Sequence, residues 1–171
     1  MFTPTSENDP HVPLEETLTP DNKQQMNEEI QELGSLLHDE WRAPRKQDGG
    51  AYEPRVKTTR DTAWIDAHHS DQVDIANSAY TELPADWQYE NQASARVAMK
   101  EVWKAIANGE QLDNAFVEKA SDFIHHMWLW RNSKWAPVEL HKPYADLPEE
   151  EKEKDRAIIR KAIEIYHQHK Q

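Results

Sequence analysis

Leu37-His38-Asp39-Glu40-Trp41 and Ile124-His125-His126-Met127-Trp128 set an apolar residue, a histidine and, three residues later, a tryptophan in the same order. Each run is followed by an aromatic-x-Pro triplet, Tyr52-Glu53-Pro54 and Trp135-Ala136-Pro137. A third signpost comes after these: Tyr80-Thr81-Glu82-Leu83-Pro84-Ala85-Asp86 in one half and Tyr144-Ala145-Asp146-Leu147-Pro148-Glu149-Glu150 in the other. Three signposts in one order read as a duplicated unit. Duplication restricts the fold strongly, because any arrangement open to one half must also suit the other with a shorter loop. The His and Trp three apart share a helix face, and each Leu-Pro pair fixes where a helix begins.

The apolar spacing supplies the helices. Thr19-Pro20 reads as an N-cap and a first-turn proline, and Met26, Ile30, Leu33, Leu37 and Trp41 recur at intervals of three and four. Leu83-Pro84 opens a second helix with Trp87, Ala95, Ala98, Val102 and Ile106 on one face and Asn108-Gly109 as its stop. Asp113 caps a third, carrying Phe116, Val117, Ala120, Ile124, Met127 and Trp128. Leu147-Pro148 opens a fourth, with Glu149, Glu150 and Glu151 where negative charge suits the dipole and Ile158, Ile159, Ala162, Ile165 and Tyr166 inward. From Arg42 to Tyr80 helical spacing is lost and Pro44, Gly49-Gly50 and Pro54 interrupt the backbone. A connection so long carries short strands, a function or mobility. Residues 1–18, with Pro4, Pro10 and Pro13 among polar residues, read as a disordered tail.

The expected fold is therefore all-α, mainly helical with short strands or irregular loops. Two pseudo-repeated helix-loop-helix units, about 33–106 and 113–168, pack together in one domain over 19–171. Seven Trp, five Tyr and three Phe supply bulky core surface to a chain that is only 37% apolar. The 32 acidic residues outnumber the 20 basic ones for a formal charge of -12, a field that repels nucleic acid and anionic membranes. With no cysteine there are no disulfides, thiolate nucleophiles or cysteine zinc sites. No apolar run approaches a membrane span and the first residues lack the pattern of a signal peptide, so a cytoplasmic location is expected.

The order of His-x-x-Trp, aromatic-x-Pro and Pro-Tyr-x-x-Leu-Pro-x-x-x-Lys-x-x-Asp-Arg resembles the ryanodine receptor repeat, the RyR domain. It is fullest from Pro143-Tyr144 through Leu147-Pro148 and Lys152 to Asp155-Arg156. The first half keeps Gly50-Ala51-Tyr52-Glu53-Pro54 and Lys57-Thr58 but has Trp87 to Asn91 where the family shows its Lys to Asp-Arg segment, and its loop is longer. The resemblance implies a mainly helical fold with short strands in the loops, and an interaction or ligand-binding module rather than an enzyme.

Candidate chemistry is sparse. His38 and His125 fit a structural role, donating ring N–H groups to loop backbone beside Trp41 and Trp128. His68 and His69 lie near Asp66, Asp71 and Asp74, which can hold a metal only if the fold gathers them. The acidic run from Asp146 to Asp155 lacks the glycine and alternating ligands of a calcium loop and reads as a solvated helix start. Phosphate-binding and nucleophile-elbow motifs are absent from a chain with four glycines.

The stretch from Arg42 to Arg60 differs. Arg42, Arg45, Lys46, Arg55, Lys57 and Arg60 face only Asp48 and Glu53 there. Beside Trp41 and Tyr52, such a loop can stack a base and pair a phosphate or carboxylate. The plainer expectation, favoured by the abundance of acids elsewhere, is that these cations pair with the chain's own acidic helices. The function expected is non-catalytic binding. A groove between the units, lined by Trp41, Arg45, Tyr52, Arg55, Lys57, Trp128 and Trp135, accepts an anionic small molecule or an acidic peptide of a partner protein, with no cofactor and no metal. Two alternatives stand beside it: a metal-dependent hydrolase built on the 66–74 cluster, and a structural protein that associates with itself as a homodimer through exposed aromatics.

Overall fold

The computed structural model describes residues 14–170. Most of them are helical: α1 (Leu14–Thr17), α2 (Pro20–Arg42), α3 (Thr62–His68), α4 (Ala85–Asn91), α5 (Ala93–Ala107), α6 (Asn114–Asn132) and α7 (Glu149–His169). Strands β1 (Val56–Thr58) and β2 (Gln72–Asp74) form a small antiparallel ribbon. Single turns of 3-10 helix follow α2 (Ala43–Arg45) and precede α4 (Tyr80–Glu82) and α7 (Val138–Leu140 and Tyr144–Asp146). The fold is mainly all-α, as the periodicity requires. Among the described residues no helix is long and apolar enough to cross a membrane.

Local chemistry sets most of the helix ends. Thr19 Oγ1 accepts from Asn22 N at 3.1 Å ahead of Pro20, so α2 begins at the expected cap. Asp113 Oδ1 accepts from Phe116 N at 3.0 Å and opens α6. Gly109, at φ +72, lets the chain leave α5 through bonds from Gly109 N to Ile106 O and from Glu110 N to Ala105 O. Pro84 and Pro148 stand immediately before α4 and α7.

Three features depart from the sequence reading. The tail expected over 1–18 lies outside the described residues up to position 13, and Leu14–Thr17 form a helical turn. The long connection carries α3 as well as two strands. That helix is capped by Asp61, whose side chain accepts from Trp64 N, and it ends at His69 in the left-handed region, but it buries no residue fully and so leaves no periodic apolar signature. The helix expected from Leu83 to Ile106 is two, broken at Gln92. At that break Asn91 Nδ2 donates to Trp87 O at 2.8 Å, and its Oδ1 lies 3.1 Å from His38 Nδ1.

The chain divides into two compact units, Gln31–Ala95 and a second made of the residues up to Ile30 with Arg96 onward, so the boundaries fall inside α2 and α5. In the first, Val73, Ile75, Tyr80 and Leu83 form a core covered by Trp64 and Trp87. The second packs α6 against α7, burying Phe116, Val117, Ala120, Ile124, Ile159, Ala162 and Ile165. Trp103 meets Tyr166 edge-to-face at 5.3 Å and donates its indole N–H to the fully buried Glu29 at 2.7 Å.

Candidate functional site

Each unit holds its loops with the same set of bonds. His38 and His125 are buried, and each Nε2 lies 2.8 Å from a carbonyl, of Ser78 and of Lys142. A carbonyl only accepts, so Nε2 carries the hydrogen in both rings. Both carbonyls belong to the residue two before the signpost tyrosine. The neighbouring tryptophans stack on these rings, Trp41 at 5.9 Å and Trp128 at 6.4 Å.

The tyrosines repeat the parallel. Tyr80 Oη donates to Gln31 Oε1 at 2.6 Å, and Tyr144 Oη donates to Glu118 Oε2 at 2.8 Å. Gln31 and Glu118 each lie seven residues before their histidine. Gln92, twelve residues after Tyr80, donates Nε2 to its hydroxyl at 2.5 Å. Arg156, twelve after Tyr144, donates Nε to Glu118 at 2.5 Å and Nη1 to Glu149 at 2.8 Å. A neutral Gln-Tyr-Gln clamp and a charged Glu-Tyr-Arg clamp thus occupy matching positions. The Arg156 guanidinium holds the Glu118 carboxyl below its usual range, and burial beside Glu118 pushes Tyr144 up to about 12. Gly34 belongs to the first clamp, since a Cβ there would stand 3.3 Å from Gln92 Cγ and 3.5 Å from Tyr80 Oη.

These clamps organise backbone. The basic stretch in the unit of the first clamp is the part with free chemistry. It is a folded loop: Lys46 and Tyr52 form an antiparallel bridge, Glu53 N donates to Arg45 O at 2.7 Å, and Gly50, at φ +89, turns the chain between them. Asp74 and Asn77 pin its far side. Tyr52 N donates to Asn77 Oδ1 at 2.8 Å, Asn77 Nδ2 donates back to Tyr52 O at 2.9 Å, and Arg55 N donates to Asp74 Oδ1 at 2.9 Å. Burial raises the Asp74 carboxyl, but the Asn77 side chain and the backbone N–H groups of Arg55, Asn77 and Ala76 outweigh it and hold the group ionised below its usual range.

Within this loop the guanidinium of Arg45 lies 4.6 Å over Trp41, that of Arg42 4.7 Å over Tyr52, and the ammonium of Lys57 6.0 Å over Trp87. Only Arg42 also has a carboxylate, Asp39 at 3.3 Å. Among the described residues no carboxylate lies within 4.0 Å of the side-chain nitrogens of Arg45, Lys46, Arg55, Lys57 or Arg60, although the backbone N–H groups of Arg55 and Arg60 donate to Asp74 and Asp86. The expected pairing of the loop's cations with acidic helices is therefore seen for Arg42 with Asp39 of α2 and not for the other five side chains among the described residues. The acidic helices satisfy their charges locally instead, as where Arg156 gathers Glu118, Glu149 and Glu153 and Arg160 bonds Glu153.

Compared with family models, curated proteins and solved structures, the chain matches none.

Trp41, Arg45, Tyr52, Arg55 and Lys57 lie in the unit Gln31–Ala95, and Trp128 and Trp135 in the other, where Trp135 is 83% exposed. His68 stacks on Trp64 at 4.0 Å with Nδ1 2.8 Å from Trp64 O, so that ring is committed locally. Among the described residues no three His, Asp or Glu gather as metal ligands, which leaves the 66–74 hydrolase reading without a ligand set. The acidic run 146–155 is mostly solvated but ends on Asp155, half-buried, whose carboxyl is pushed up to about 7 by burial and by Glu151. Asp155 stands eleven residues after Tyr144, as Asn91 does after Tyr80. An open pocket of about 520 Å³ between α5 and α6, with Glu101, Lys104, Asp122 and Phe123 on its walls, gave no signal in the sequence, because its residues are spread over two helices without a motif.

Proposed function

We propose that the chain is a non-catalytic binding module and that the loop Arg42–Arg60 recognises anions, as carboxylate or phosphate groups of a partner or small molecule. The reading is carried by one observation: the side-chain cations of Arg45, Lys46, Arg55, Lys57 and Arg60 have no carboxylate partner among the described residues of a chain whose formal charge is -12. In such a chain carboxylates are plentiful, so cations left unpaired on a pinned loop keep their capacity for an external oxyanion. Arg45 held over Trp41 loses less freedom on binding than a mobile side chain does. The likeness to the RyR domain points the same way, toward interaction rather than chemistry.

Titration calorimetry with inorganic phosphate, nucleotides and acidic peptides tests this. Binding that falls with added salt and is lost in an Arg45→Ala/Arg55→Ala variant is expected. Equal, weak responses from wild type and variant would refute it.

A second reading has its own support. Trp130, Trp135 and Val138 are 75%, 83% and 85% exposed, more apolar surface than a lone domain ordinarily leaves in one segment. It treats this segment as the contact through which copies of the chain associate. Light scattering over a dilution series distinguishes a constant monomer mass, which defeats it, from a concentration-dependent one.

A further inference from the structure

β1 belongs to a ribbon of two strands, so one of its edges faces no other strand. The register pairs Lys57 with Val73, and Ile75 N donates to Arg55 O while Thr59 N donates to Asp71 O. Alternation in an antiparallel ladder then turns the backbone groups of Arg55, Lys57 and Thr59 toward β2, and those of Val56 and Thr58 away from it. The indole N–H of Trp87 takes the Thr58 carbonyl at 3.0 Å. Val56 N–H, Val56 C=O and Thr58 N–H have no partner among the described residues, and Val56 is 55% exposed. Unpaired N–H and C=O groups on an edge are a template for an added strand, and cations flanking that edge oppose a neutral or basic strand but admit an acidic one.

The carboxylates beside that edge are occupied by other groups, Asp74 by Arg55 N and Asn77 and Asp86 by Thr59 Oγ1 and Arg60 N. Arg55, Lys57 and Arg60 lie along and just beyond the strand, and among the described residues no carboxylate lies within 4.0 Å of their side-chain nitrogens. The aromatic rings nearby already carry cations of their own: Trp41 under Arg45, Tyr52 under Arg42 and Trp87 under Lys57. Trp41 also stacks with His38. What the surface offers an incoming ligand is therefore positive charge and open backbone, with little free ring face for a nucleobase.

Resting on the anion-binding reading above, we propose that the ligand is an acidic peptide segment, bound extended as a third strand on the outward edge of β1. Its main chain bonds Val56 and Thr58, and its carboxylates meet Arg55, Lys57 and Arg60. A short segment suits the electrostatics. Fields fall off over about 8 Å at physiological ionic strength, so a peptide spanning Arg55 to Arg60 feels the loop, whereas a long polyanion also feels the chain's negative remainder.

The test uses the full chain and short alternating Glu-Val and Gln-Val peptides, followed by fluorescence anisotropy. Wild type is expected to bind the Glu-Val peptide and not its Gln-Val counterpart. Val56→Pro removes an N–H that points away from β2, sparing the ribbon, and is expected to weaken binding roughly tenfold, the worth of one or two hydrogen bonds. Amide exchange of Val56 and Thr58 in wild type gives a second readout that needs no variant, and slowing on peptide addition is expected. Unchanged exchange at both amides, or undiminished binding by Val56→Pro, overturns the added strand while leaving anion recognition intact. Tighter binding of single-stranded DNA or ATP than of the peptide overturns the peptide class. No response to peptide, nucleotide or phosphate overturns both this proposal and the reading beneath it.

Discussion

Replacing Asp155 by Asn makes the second unit carry what the first has at Asn91, and the structure gives the sign of the effect. The Asp155 carboxyl is half-buried and stands at about 7 rather than 3.8, raised by burial and by Glu151 four residues earlier and lowered in part by Lys154. A carboxyl whose value is raised on folding favours the native state while it is protonated. Its contribution is complete below about pH 4 and is lost as pH rises through about 7. The interval between those values corresponds to ~4 kcal/mol for a group shielded from solvent. Screening at a half-buried site reduces it to about 1–2 kcal/mol. Asp155→Asn keeps the shape and removes the charge, so in urea unfolding followed by circular dichroism it should be more stable than wild type by that amount at pH 8. The advantage should shrink to near zero at pH 4. A variant that is equally or less stable at pH 8, or a difference that does not change with pH, would refute the burial of that charge.

Four further outcomes follow from the clamps and the loop. Tyr80→Phe should cost about 1 kcal/mol through loss of neutral bonds, and Tyr144→Phe about 1.5–3 kcal/mol because its acceptor is charged, both read by urea denaturation. With Tyr144 raised to about 12, wild type should lose stability between pH 10 and 12 as that hydroxyl ionises, and Tyr144→Phe should lose less. Asn77→Ala removes the bonds to both Tyr52 N and Tyr52 O, so hydrogen exchange at Tyr52 should quicken severalfold while α6 amides are unchanged. His38→Ala leaves the Ser78 carbonyl and Asn91 without the ring and should cost about 2–4 kcal/mol by the same denaturation assay.

The parts of the fold legible in the sequence are those decided within a few residues. Thr19, Asp113 and the two Leu-Pro openers act over one helical turn, and each stands where local chemistry put it. The break at Gln92 was not legible because no glycine or proline marks it, and the contact beside it, Asn91 with His38, spans 53 residues. Helix α3 escaped notice because a helix that buries nothing fully needs no apolar stripe.

The candidate site was legible as a composition and not as a state. The cluster Arg42 to Arg60 is plain in the chain, but whether its charges are neutralised is a matter of tertiary distance, and the count of acids pointed the wrong way. The tyrosine clamps hid for a different reason. Gln31 with Gln92 and Glu118 with Arg156 do the same work through neutral and ionic pairs, so the residues differ while the spacing holds. Counting seven back from each histidine and twelve on from each tyrosine would have found them.

Backbone amide shifts of the isotopically labelled chain, recorded as a short acidic peptide is added, test the anion-binding loop most directly. Movements concentrated at residues 42–60, saturating with peptide and abolished by Arg45→Ala/Arg55→Ala, are what the unpaired cations require. Shifts centred on the α5–α6 pocket or on residues 130–138, or none at all, would contradict the account.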